Sequence, residues 1–185
     1  MTKTKLSIVC FGWDPWGPLW KMTQQLMWYL SKRPEIDSVV YINNDLYISS
    51  VILDFQSHIK NQIIRNHMID SFIGRVEKYD EKISSFTPFH YLPFSRRYKI
   101  LEELDLNIFK TKVLNILKKE SFEDVILFVN RLVTPKIFEI FSESILRCFY
   151  ISDNWSEFVI GSGRLDAIRQ EAKENVERHI EFITK

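Results

Sequence analysis

Seven consecutive residues, Gly12-Trp13-Asp14-Pro15-Trp16-Gly17-Pro18, bring together two indoles, one carboxylate and two glycines. An indole offers a flat apolar face to a sugar ring and a carboxylate accepts hydrogen bonds from hydroxyls, so the set suits a saccharide. Gly12 and Gly17 let a backbone approach a ligand closely where a helix begins, a place that favours a phosphate or a hydroxyl. The alternative is that Trp13 and Trp16 only wedge the loop onto the layer beneath it. Neither Gly-x-Gly-x-x-Gly nor Gly-Lys followed by Ser or Thr occurs in the chain, which argues against dinucleotide-binding and phosphate-loop enzymes.

Two other polar groups stand where an apolar run ends. Asn130 and Arg131 follow residues 125–129, and Ser152-Asp153-Asn154-Trp155 follows residues 147–151. Asp153, with Asn154 beside it, is either a ligand-facing carboxylate or an ordinary turn and cap residue. His58, His67, His90 and His179 are scattered without metal-ligand spacing. Only His90, inside the proline- and aromatic-rich loop 88–94, is singled out as an acid–base group or substrate contact. Cys10 and Cys148 sit in apolar runs and read as reduced core thiols, and no serine or cysteine occupies a nucleophile elbow. No metal and no cofactor is expected.

Loops of this kind need strands to aim them. Residues 5–11 form a short apolar run suited to a buried strand, and Leu19, Met22, Leu26 and Leu30 then recur at helical spacing. Pro18 suits the first turn of that helix and Pro34 its end. Residues 38–43 give a second strand, completing a βαβ unit. Residues 44–81 alternate too poorly for an assignment. A strand over 82–87 leads into the aromatic loop, after which Ser95 or Asn107 caps a helix with Ile108, Val113, Ile116 and Leu117 on its apolar face. Strands follow at 125–129 and 147–151, with a helix between them from Thr134-Pro135 to about residue 144. A last helix spans 164–184, with Leu165, Ile168, Ala172, Val176, Ile180 and Ile183 on one face. This alternation predicts an α/β fold: an open, mostly parallel Rossmann-like sheet with helices on both faces. Ligands of such sheets gather outside the carboxyl ends of the strands, so loops 12–18, 130–131 and 152–155 should share one rim, with Asp153 opening toward the first loop.

Composition narrows the class further. The 185 residues suit one domain, and 45% apolar with 26% charged residues exclude wholesale disorder. Lys and Arg total 25 against 24 for Asp and Glu, so no overall field recruits nucleic acid. The apolar run after the Thr-Lys-Thr-Lys start is broken by Trp13-Asp14-Pro15, too early for a signal peptide or a span, and the compartment is read as cytoplasmic.

Taken in order, the run into Trp13-Asp14-Pro15-Trp16-Gly17-Pro18, the Leu92-Pro93-Phe94 segment before helical sequence, the strand into Asn130-Arg131-Leu132-Val133-Thr134-Pro135, and the stretch from Phe149 through Asp153 to Phe158 form one pattern. It resembles the N-terminal half of GT-B glycosyltransferases acting on bacterial surface polysaccharides. The resemblance implies a single acceptor-side domain over residues 1–185. A nucleotide-sugar donor would be held by a second domain beyond residue 185, so the chain alone is expected to be inactive. The implied reaction moves a sugar to a saccharide or lipid-linked acceptor without an obligatory metal, in an enzyme with peripheral membrane association. Gly12, Gly17 and the Asp153 segment match family positions, whereas Asn130-Arg131 stands where some members carry a histidine. The competing reading is a non-catalytic Rossmann-like binding or interaction module.

Overall fold

The computed structural model describes residues 5–17, 21–53, 62–92, 98–119, 124–131, 140–142 and 144–150. Along the chain the elements are β1 (Leu6–Phe11), α1 (Met22–Ser31), β2 (Ile36–Ile42), β3 (Leu46–Tyr47), α2 (Ile48–Leu53), α3 (Gln62–Ile73), β4 (Val76–Lys78), β5 (Ile83–Phe86), β6 (Phe89–His90), α4 (Lys99–Lys119), β7 (Asp124–Val129) and β8 (Leu146–Phe149). Six strands make one sheet in the order β4-β5-β2-β1-β7-β8. All its pairings are parallel except that of β4 with β5. The fold is thus α/β with an open, mostly parallel sheet, as the alternation of elements predicts.

Side chains alternate across the strands and give the sheet two cores. Val9, Phe11, Val40, Ile42, Leu127 and Val129 meet Phe109 and Val113 of α4 on one face. Ile8, Cys10, Val39, Tyr41 and Ile83 meet Met27 of α1 on the other. A parallel strand buried on both faces carries apolar residues without a polar side, which is why β1 reads as a nearly continuous apolar run.

Several local expectations change. Helix α1 begins at Met22, and its buried residues are Thr23, Gln24, Met27 and Ser31, whereas Met22 and Leu26 are exposed. The Thr23 hydroxyl accepts from Asn130 and Gln24 donates to Pro15 O, contacts that turn these polar residues inward and that spacing of apolar residues alone does not reveal. Asn107 caps nothing, because it lies inside the 21-residue helix α4. The buried side of α4 carries Asp105, Phe109 and Val113, leaving Ile108 exposed. Within the aromatic loop, Phe89 and His90 are instead a short buried strand paired in parallel with Leu46 and Tyr47. The unassigned stretch 44–81 supplies β3, α2, α3 and the edge strand β4. Strand β8 lies one strand beyond β7, parallel to it, and so two places from β1. Ser95, the start of the helix expected at Thr134-Pro135, the 152–155 loop and the expected helix 164–184 lie outside the described residues.

Candidate functional site at the strand-order switch

From β1 the chain adds β2 and β5 on one side and later β7 and β8 on the other, so the strand order reverses between β1 and β7. In an open α/β sheet that reversal leaves a crevice outside the carboxyl ends of the two strands, because the connections leave in opposite directions. Here the two strands release Gly12 and Asn130. The ladder extends one residue into each loop: Gly12 N–H donates to Ile42 O at 3.0 Å, Asn130 N–H to Phe11 O at 2.9 Å, and Tyr150 N–H to Val129 O at 2.9 Å. The loops therefore leave at one level, and residues 12–17 and 130–131 share a rim. Asp153 and Asn154 lie outside the described residues.

Gly12 is required by packing. A Cβ there would stand 1.8 Å from Tyr41 Oη and 2.0 Å from Tyr41 Cζ, and Tyr41 is itself a core residue with no room to retreat. Gly17 is under no such constraint, the nearest atom to an added Cβ being Pro15 O at 3.8 Å. Gly12→Ala is accordingly expected to cost roughly 2–3 kcal/mol of stability by overpacking. Gly17→Ala should cost less than about 1 kcal/mol. Urea unfolding of the two variants checks the contrast.

The rest of the loop is pinned by Asn43 and Gln24, and Asn43 is itself held by Thr87. Trp16 N–H donates to Asn43 Oδ1 at 2.9 Å, Gln24 Nε2 donates to Pro15 O at 2.8 Å, and Asn43 Nδ2 donates to Thr87 Oγ1 at 2.8 Å. Trp16 turns inward, with its ring edge-on to Tyr41 at 5.1 Å and tilted against Tyr79 at 5.8 Å. Trp13 is 44% exposed and Asp14 half-buried, so these two carry the outward surface of the loop. Across the crevice Asn130 donates through Nδ2 to the Thr23 hydroxyl, tying the end of β7 to the first turn of α1.

Beneath the rim lies a buried set of charges. Arg131, 3% exposed, forms a two-pronged pair with Asp45, Nη2 to Oδ1 at 2.8 Å and Nη1 to Oδ2 at 3.0 Å. Its Nη2 also donates to Asn43 O at 3.3 Å, and the guanidinium stands 5.6 Å from the Phe11 ring centre. His90 donates from Nδ1 to Asp105 Oδ2 at 2.6 Å, and its Nε2 faces Asp45 Oδ2 at 3.8 Å, too far for a hydrogen bond. The imidazole is stacked against Tyr47 at 4.4 Å and lies near-parallel to Phe109 at 6.0 Å. Two carboxylates and two cations thus close on one another.

The electrostatics follow from that closure. Burial alone would favour neutral His90, but Asp105 and Asp45 outweigh it and raise its pKa from 6.5 to about 9, so the ring is an imidazolium at neutral pH. Burial likewise opposes the Asp45 carboxylate, and Arg131 and His90 overcome it, holding the group well below the usual carboxylate range. Three buried polar atoms in the set, His90 Nε2, Arg131 Nε and Asp105 Oδ1, have no hydrogen-bond partner among the described residues. Arg131 and His90 therefore serve the interior of the site, and Trp13, Asp14 and Asn130 its surface.

No family model, curated protein or solved structure matches this chain. What the site can do rests on its geometry: a flat indole, a carboxylate and an amide at one crevice, over a floor whose charges are internally balanced. Among the described residues no His, Cys, Asp and Glu cluster could hold a metal ion, and no helix is long and apolar enough to cross a membrane. Asp45 and Asp105 escape a reading of the sequence. Asp45 had a signal in Asn43-Asn44-Asp45 directly after β2, but Asp105 sits in Glu102-Glu103-Leu104-Asp105, which reads as a solvated helix face.

Proposed function

We propose that this chain is the acceptor-side half of a glycosyltransferase, receiving a saccharide or lipid-linked acceptor at the crevice between β1 and β7. The observation that carries the reading is the exposed Trp13 at the strand-order switch, beside Asp14 and opposite Asn130. A large exposed indole forgoes apolar burial, and stacking on a sugar ring is a use for it. Asp14 and Asn130 would accept from and donate to sugar hydroxyls. The balanced floor presents no net charge, which favours a neutral polyol over a phosphate at this point. By resemblance, the nucleotide-sugar donor would be held by a second domain, and the isolated chain would bind such donors weakly.

The test separates surface from packing. Trp13→Ala should weaken saccharide binding by about tenfold or more, the effect of losing an aromatic anchor, while lowering stability by less than Trp16→Ala does. Trp16→Ala should instead cost roughly 2–3 kcal/mol of stability, as expected for an aromatic ring removed from half-buried packing. Tryptophan fluorescence titration with oligosaccharides, beside thermal unfolding, measures both. Binding that is absent in the unmodified chain, or that falls in proportion to stability in both variants, would overturn the assignment.

A second reading, a non-catalytic saccharide- or protein-binding module, is favoured by one observation: His90 lies buried beneath the rim, committed to Asp105. Transfer from nucleotide sugars by the chain together with a donor domain distinguishes the two.

A further inference from the structure

On the α1 side of the sheet, cover is uneven. Helix α1 lies over β1 and β2, with Met27 against Ile8, Cys10, Val39 and Tyr41. Beside it, Ile126 and Phe128 of β7 are only half-buried, and their parallel partners in β8, Leu146 and Cys148, are 51% exposed and half-buried. The wall toward α1 is also apolar. Met22 and Leu26 lie four residues apart, one helical turn, and are 60% and 37% exposed. Met22 points to the β8 side, since the Tyr150 hydroxyl lies 3.5 Å from its Sδ, and Tyr150 in turn stacks on Phe128 at 6.3 Å. The opposite flank of α1 is committed elsewhere, with Lys32 paired to Asp80 and lying over the Trp28 ring. Among the described residues, a trough floored by β7 and β8 and walled by α1 therefore remains apolar and open.

We infer that this trough is the seat of the chain's own residues 164–184. A parallel strand exposing apolar residues on one face needs a helix there. The sequence supplies one stripe of the right kind, Leu165, Ile168, Ala172, Val176, Ile180 and Ile183, at helical spacing. A helix of that length spans about 30 Å, enough to run back along strands of about 20 Å. The chain leaves β8 at Tyr150, on the rim of the trough, and the thirteen or so residues before the stripe, at up to about 3.3 Å each, let it turn back onto that face. The occupant is thus tethered next to its seat, an advantage over any separate molecule through its effective concentration.

The two thiols report on it without an added probe. Cys10 is fully buried in the core and Cys148 stands in the trough, both free. In the full chain Cys148 should react with a maleimide about tenfold or more slowly than in Val176→Glu/Ile180→Glu, since labelling follows accessibility. Cys10 should stay silent in both, showing that the sheet is intact. A second measurement covers a variant that loses its fold. In otherwise unmodified chains, Ile168→Cys, Ala172→Cys and Val176→Cys are oxidised separately, and at least one should give a disulfide to Cys148 by peptide mapping. Fast labelling of Cys148 in the full chain, or no cross-link from any of the three positions, overturns the proposal. So does protection that fades on dilution, which would assign the trough to a second copy.

Discussion

Replacement of Arg131 by Met is expected to lower the stability of the chain by roughly 3–5 kcal/mol, the range for removing one partner of a buried ion pair. The guanidinium is 3% exposed and its partner Asp45 10% exposed at the side chain, so neither charge can be handed back to water without opening the rim. Methionine keeps the stem's apolar volume but leaves the Asp45 carboxylate, among the described residues, facing His90 at 3.8 Å as its remaining cation. It also removes the bond to Asn43 O that steadies the segment after β2. In a domain of this size the loss corresponds to a fall in Tm of roughly 10 °C. Adding Asp45→Asn to Arg131→Met should restore part of the stability, because the uncompensated charge is then gone. Thermal and urea unfolding of the single and double variants measure the coupling. A single-variant loss below about 1 kcal/mol, the range of solvated surface pairs, would mean that the cluster is open to water.

The second large effect is one of pH. Folding raises the His90 pKa from 6.5 to about 9. The imidazolium therefore contributes stability in full below pH 6.5, and that contribution is lost as pH rises through about 9. Its size is about 3 kcal/mol at 1.36 kcal/mol per pKa unit. The groups facing the ring account for the direction: Asp105 from α4 and Asp45 from the segment after β2. Asp45 titrates the opposite way, its contribution lost only in strong acid, so the two windows do not overlap. The difference in unfolding free energy between pH 6 and pH 9.5 should be larger in the unmodified chain than in His90→Gln by that amount. Asp105→Asn should shrink it by half or more. An imidazole titration near 6.5 in the folded chain, followed by NMR, would contradict this account.

Much of the frame was legible because its signals are local. Apolar runs at residues 5–11, 38–43 and 125–129 needed no partner to be recognised as strands, since a strand covered on both faces must be apolar throughout. The glycine-bounded loop after the first run was equally plain. Its chemistry divided only in three dimensions: Trp13 and Trp16 are the same residue type three positions apart, yet one faces outward and the other packs on Tyr41. The inward turn of Trp16 is held by Asn43, twenty-seven residues away, whose side chain takes the Trp16 N–H.

The amino-acid sequence by itself determined the α/β class, the parallel sheet and the loops that crown it, because period, composition and turn residues act over a few neighbours. Tertiary structure alone decided that α1 turns Thr23 and Gln24 inward, that Phe89 and His90 pair with Leu46 and Tyr47, and that Arg131, Asp45, His90 and Asp105 converge. Each of these joins residues far apart in the chain, and burying a charge is tolerable only beside its counter-charge, a condition that no single segment can express.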